Sequence, residues 1–182
     1  QIVDVDGNET PKKIPEQNKT YNVYRAIKLG LGDFFVKNGF KTACLGLSGG
    51  IDSAVVLSMA AETLGPENIR VLLMPSQFSS DHSVEDAREL AENLGVEYQI
   101  VPINETFAAL TATLGPVFGE LPFNVAEENM QARIRGMMMM AISNKFGNVL
   151  LATSNKSEIA VGYGTLYGDT VGALSIIGDL YK

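Results

Sequence analysis

The chain has 182 residues, of which 46% are apolar, 8% aromatic and 19% charged, the composition of one ordinary globular domain with enough apolar surface to bury a core. Its formal net charge is −7 and no lysine/arginine block stands out. That speaks against a nucleic-acid partner but leaves room for a small anion held by backbone N–H groups. A single cysteine, Cys44, and a single histidine, His82, exclude an internal disulfide and a Cys/His zinc set; no apolar run approaches the ~20 residues of a membrane span, and a reducing cytoplasm is the expected location.

Residues 1–18 (QIVDVDGNETPKKIPEQN) mix prolines, charges and a glycine without periodicity and read as a linker or N-terminal arm, with one domain over 19–182. Tyr24, Ile27, Leu31, Phe34 and Phe35 fall at helical spacing and Gly39 is a stop signal. Thr42–Leu47 has the length of a buried strand, and Ser53–Leu64 is helical up to Gly65-Pro66. Ile69–Met74 is a second strand, followed by a helix over Ser83–Leu94 that opens with Ser83 three residues before Asp86, a capping-box arrangement. A third strand over Glu97–Val101 and a further helix over Glu105–Leu114 follow. Asn124 and Glu127 open a long helix reaching Phe146, and Val149–Ala152 is a fourth strand. Met137–Met140 on the long helix read as core filling.

Strand and helix alternate, and the strands are apolar on both faces, which predicts a three-layer α/β fold, a parallel sheet with helices on both faces. In such sheets ligands sit outside the carboxyl ends of the strands, where the chain reverses its direction of travel. LGLSGGIDS, MPSQFSSD and LATSNKSE each fall at such an end.

The stretch Leu45-Gly46-Leu47-Ser48-Gly49-Gly50-Ile51-Asp52-Ser53 joins a strand to a helix through glycines, the general recipe for holding phosphate. It is neither a Walker loop, lacking Gly-Lys-Ser/Thr, nor a G-x-G-x-x-G dinucleotide fingerprint. A plain tight turn is the bland alternative. SGGIDS resembles the pyrophosphate-binding loop of the ATP pyrophosphatases, which cleave ATP to AMP and pyrophosphate, and an aspartate beside small donors suits a hard cation.

Two further stretches, residues 127–173 with ENMQARIRG and NKSEIAVGYGTLYGD, and residues 74–96, resemble the synthetase portion of the NAD synthetases. They are closer to the glutamine-using type than to the ammonia-only type, which carries a lysine where this chain has Leu166. The resemblance covers roughly residues 20–182 and implies the Rossmann-like adenine nucleotide alpha-hydrolase fold. It implies ATP-dependent amidation of deamido-NAD to NAD through an adenylate, with Mg²⁺ as cofactor. Position by position it implies that Leu47, Ser48, Gly49, Gly50, Ile51, Asp52, Ser53 and Thr153 contact ATP. Asp52 and Glu158 would hold the metal and act in catalysis, and Asn129, Arg133, Glu158 and Asp169 would face deamido-NAD. The residues themselves agree: Glu128, Gln131 and Arg135 lie within two helical turns and are expected to share a polar face near a sheet edge, and Arg133 and Arg135 are suited to phosphate or carboxylate. Without the motif, Arg133 is as readily a surface ion pair and Glu158 a helix-terminal acid.

Cys44, inside an apolar run, is expected to be inert, and His82 to be a surface or capping residue. Ammonia would therefore be free or come from glutamine through a separate glutaminase domain. A start at Gln1 without methionine and an end just after SIIGDLYK suggest a piece of a longer chain, and the resemblance implies a further ATP lysine beyond Lys182. It also implies a homodimer or higher oligomer. Two other readings stand beside this one: another pyrophosphatase-loop enzyme, such as a tRNA thiolase, and a non-catalytic ATP-binding module.

Overall fold

The computed structural model describes residues 18–182; of the linker expected over 1–18, only Asn18 lies inside that range. Asn18 caps the first helix, its side-chain oxygen accepting from the N–H groups of Thr20 and Tyr21. In chain order the elements are α1 (Lys19–Asn38), β1 (Ala43–Gly46), α2 (Ile51–Leu64), a short 3-10 turn (Pro66–Asn68), β2 (Ile69–Leu73), α3 (Asp81–Leu94), β3 (Glu97–Ile100), α4 (Asn104–Phe118), α5 (Val125–Phe146), β4 (Val149–Ala152), α6 (Lys156–Ala160) and β5 (Leu174–Ser175). The strands form one five-stranded sheet in the order β3-β2-β1-β4-β5, with every pairing parallel.

Strand side chains alternate between faces with a period of two, and the core divides accordingly. Ala43, Leu45, Ile69, Val71, Leu73, Val149 and Leu151 pack with Leu31 and Phe35 of α1, Val56, Leu57, Ala60 and Ala61 of α2, and Ala87 and Ala91 of α3. Cys44, Leu72 and Leu150 turn the other way, onto Met139 and its neighbours in α5. Behind α5, Phe107 of α4 joins Ile103, Met130 and Ile134 in a third cluster. The sheet is thus covered on both faces, as its apolar strands require.

The expected elements form, with these differences. The third helix begins two residues earlier than its Ser83/Asp86 pattern suggests: Ser80 is the cap, and its hydroxyl accepts from the Ser83 N–H. The second helix starts at Ile51 rather than Ser53, and the helix expected to end at Leu114 continues to Phe118 through Pro116. Pro116 lies two residues before the end of α4, so its missing N–H and its ring disturb only the last turn. β3 is an edge strand on which Glu97, Gln99 and Ile100 are exposed, so burial on both faces does not extend to it. Met139 is buried at 3%, but Met137 is 60% exposed and lies outside the core. The two-residue strand β5, which carries no sequence signal, was not expected. The box at Asn124/Glu127 is present, with Glu127 Oε2 accepting from the Asn124 N–H at 2.9 Å.

Candidate functional site

The chain walks outward from β1 through β2 to β3, then returns to the opposite side of β1 to lay down β4 and β5. The carboxyl ends of β1 and β4 therefore border the point where direction reverses, and connections leaving in opposite senses open a crevice there. A cavity of about 350 Å³ occupies it, lined by the ends of β1, β2 and β4, by Ala132, Arg135 and Gly136 of α5, and by Gly168 and Asp169. All three loops expected at one crevice meet in it.

The loop after β1 is braced by its serines. The Ser48 and Ser53 hydroxyls lie 3.2 Å apart, Ser48 Oγ accepts from the Gly50 N–H at 3.3 Å, and Ser53 Oγ donates to the Gly50 carbonyl at 3.0 Å. Gly50, the N-cap of α2, makes no side-chain capping bond. The first N–H groups of α2 thus lack the usual capping acceptor and carry the positive end of the helix dipole at the cavity edge. Gly49 is needed for a different reason. Its φ is +79° and a Cβ there would lie 2.3 Å from the Ser83 carbonyl oxygen, so the loop can pass under α3 only as glycine.

Asp52 stands in the first turn of α2 and Glu158 in the first turn of α6, and both line the cavity. Asp52 Oδ1 accepts from Asn155 Nδ2 at 3.0 Å, and Oδ2 pairs with Lys182 Nζ at 2.8 Å. Burial pushes the Asp52 carboxyl pKa up, but hydrogen bonds from Lys182 and Asn155 and the Lys182 charge outweigh it and hold the group below the usual carboxylate range. Glu158 Oε2 accepts from the Asn155 backbone N–H at 3.1 Å. Among the described residues no cluster of three or more His, Cys, Asp or Glu side chains forms. Two carboxylates next to a phosphate-type loop nonetheless fit Mg²⁺, which usually takes one or two carboxylates and completes its shell with substrate phosphates and water.

Of the other residues singled out in the sequence, Leu47, Ser48, Gly50, Ser53, Thr153 and Asp169 line the cavity, whereas Gly49 and Ile51 do not. Asn129 and Arg133 lie outside the lining, tied to the adjoining loop. Asn129 Oδ1 accepts from Thr165 Oγ1 at 2.7 Å, and Arg133 Nε donates to the Leu166 carbonyl at 3.2 Å. Asp169 Oδ2 accepts from the Thr165 N–H of that loop. Glu128, Gln131 and Arg135 do not share one open polar face: Glu128 is exposed and Gln131 buried, and only Arg135 reaches the cavity. Arg135 Nε donates to the Met74 carbonyl at 3.0 Å; burial lowers the guanidinium pKa, partly offset by the nearby Asp169 charge. Cys44 is fully buried, its thiol pushed up to about 11 by desolvation, and His82 is exposed; neither touches the site. The sequence reading missed Asn155 and Lys182, whose contacts with Asp52 span 103 and 130 residues. The only local hint is the Asn-x-x-Glu capping pattern at Asn155 and Glu158.

The NAD synthase family model matches residues 23–182. The chain belongs to the NAD synthase family. A glutamine-dependent NAD(+) synthetase of Synechocystis sp. is 54% identical over 163 residues, which are 90% of this chain but 29% of that protein. The chain superposes with a TM-score of 0.91 and 43% identity on the glutamine-dependent NAD+ synthetase of Acinetobacter baumannii, solved in complex with ADP, covering 94% of this chain and 32% of that one. The NH3-dependent NAD synthetase of Campylobacter jejuni aligns at a TM-score of 0.82 and 34% identity, over 91% of this chain and 70% of that one. The chain thus spans about a third of the length of the glutamine-dependent NAD synthases it matches, and its fold is that of the family.

Proposed function

We propose that this chain is the synthetase part of an enzyme that amidates deamido-NAD to NAD at the expense of ATP, residues 19–182 forming one such unit. The observation that carries the reading is the crevice at the β1/β4 reversal, where a serine–glycine loop, an uncapped helix N-terminus and two carboxylates from the first turns of separate helices converge on one cavity. The nicotinate carboxylate attacks the α-phosphorus of ATP and pyrophosphate departs, leaving a carboxyl-adenylate. Ammonia then attacks the carboxyl carbon and AMP leaves. Adenylation is needed because a carboxylate has no leaving group of its own.

In this scheme Ser48, Ser53 and the first N–H groups of α2 bind the β- and γ-phosphates. Lys182 and Arg135 place positive charge at the cavity edge, and Thr153 contacts the nucleotide. Asp52 and Glu158 would hold Mg²⁺, which when bound offsets the charge that grows on the departing pyrophosphate. Asn129, Arg133 and Asp169 support the dinucleotide. No residue is asked to shuttle a proton, so catalysis rests on positioning and fixed charge. That fits a site whose lining includes no histidine. Ammonia is supplied free or by glutamine hydrolysis in another domain, and the chain works in the cytoplasm as a homodimer or larger assembly. Among the described residues no helix is long and apolar enough to cross a membrane.

The test is to give the full-length protein Mg-ATP, deamido-NAD and ammonium and to follow AMP and NAD. Equal amounts of both, abolished without deamido-NAD and reduced at least ~100-fold by Asp52→Ala, are expected. AMP formed only with some other acceptor overturns the substrate, and ATP binding without AMP reduces the chain to a binding module.

A further inference from the structure

We propose that Asn155 is a positioning residue that sets the relative placement of Asp52 and Glu158, and that it acts on metal-dependent ATP binding rather than on the fold. The inference rests on reading those two carboxylates as the Mg²⁺ ligands. Asn155 is 2% exposed and makes three contacts at once. Its Oδ1 accepts from the Glu158 N–H at 3.0 Å, its own N–H donates to Glu158 Oε2 at 3.1 Å, and its Nδ2 donates to Asp52 Oδ1 at 3.0 Å.

The first two contacts are a capping box, and serine, threonine or aspartate would serve that purpose as well as asparagine. The third needs an amide. Serine and threonine end one atom too soon to cap and donate in opposite directions. Aspartate has no donor and would set a further negative charge against Asp52. The amide cannot be turned around either, because Oδ1 is committed to the Glu158 N–H and Nδ2 must therefore face Asp52.

The residues around Asn155 are anchored. Ser154 Oγ donates to the Asp169 carbonyl, Ser175 Oγ donates to the Ser154 carbonyl, and the Lys156 N–H donates to the Leu180 carbonyl at 2.8 Å. The loop after β4 is thus a fixed mount, and Asn155 transmits its position to a carboxylate on α2. Metal ligands held by an outer hydrogen bond commonly lose ~10–100-fold in metal affinity when that partner is removed. Without Nδ2, Asp52 keeps only Lys182 as a side-chain partner, and Lys182 Nζ is a flexible, half-exposed ammonium that cannot hold the carboxylate in one orientation.

The experiment measures ATP dissociation constants by calorimetry on the full-length protein, with excess Mg²⁺ and with EDTA, for the unmodified protein, Asn155→Ser, Asp52→Ala and the double variant. Asn155→Thr, which also caps, replaces the serine variant should that fail to fold. The expected result is a metal enhancement of ATP affinity that falls about tenfold or more in Asn155→Ser, while affinity in EDTA and the melting temperature stay close to those of the unmodified protein. In the Asp52→Ala background the second substitution should remove nothing further, because its effect passes through Asp52. An unchanged enhancement, or equal losses with and without Mg²⁺, overturns the proposal. Absence of any enhancement in the unmodified protein overturns the metal reading itself and this inference with it, so the two failures are told apart.

Discussion

Gly49 bears a constraint that no polar contact reports. Replacing it with alanine would force a Cβ to 2.3 Å from the Ser83 carbonyl at φ +79°. Left-handed strain and overpacking together predict a cost of about 2–5 kcal/mol. The urea midpoint of Gly49→Ala should fall accordingly; a midpoint equal to that of the unmodified protein would mean that α3 does not press on the loop. Cys44 makes the opposite point, because its chemistry is suppressed by burial. With the thiol pushed up from 9.0 to about 11, the folded state keeps a proton that the unfolded state releases first. The contribution of this group to stability is therefore complete below about pH 9 and lost as pH rises towards about 11. Alkylation at pH 8 should proceed only as fast as the protein unfolds, and labelling at the rate of a free thiol would contradict the packing of Cys44 against Leu72, Met139 and Leu150.

At the scale of elements, capping separates what was legible from what was not. Asn124 with Glu127 reads correctly because the residues before them break the helical pattern and the box is the first one available. Asn124→Ala should cost ~1 kcal/mol in a thermal melt. The pattern at Ser83 and Asp86 is equally good as a string, yet Ser80 takes the cap because its hydroxyl reaches the Ser83 N–H and hydrogen-bonds the Ser83 hydroxyl at 2.7 Å. Ser80→Ala should therefore destabilise α3 more than Ser83→Ala, and the reverse order would restore the shorter helix. Four of the five strands were legible, three of them as apolar runs. β5 was not, since two residues paired to Leu151 and Ala152 have no periodicity to display. Among the residues expected at the site, Ser48, Gly50, Asp52 and Ser53 of SGGIDS do line the cavity, and they were legible as a group because one strand-to-helix loop keeps them within six positions. Asn155 and Lys182 reach Asp52 across more than a hundred positions, and beyond the capping pattern at Asn155 and Glu158 nothing local marks such a partner.

For the whole molecule, the sheet order makes a graded prediction. β1 lies at the centre, flanked by β2 and β4, with Ala43, Cys44 and Leu45 at 0% exposure; β3 and β5 are edges. Amides of β1 and of the strands bonded to it should open only with global unfolding, while those of β3 exchange through local opening. Hydrogen exchange should therefore rank β1 slowest and β3 among the fastest strands, and equal protection across the sheet would argue that the edge is covered in solution. The same measurement tests whether the site spans the reversal point. Mg-ATP seated between the loops after β1 and β4 should slow exchange across residues 48–53 and 153–158 together, because one ligand restrains both. It should leave 97–100 unchanged, since that strand's residues are absent from the cavity lining. Protection confined to 48–53 would mean that the nucleotide is held by the glycine loop alone and that Glu158 takes no part in holding it.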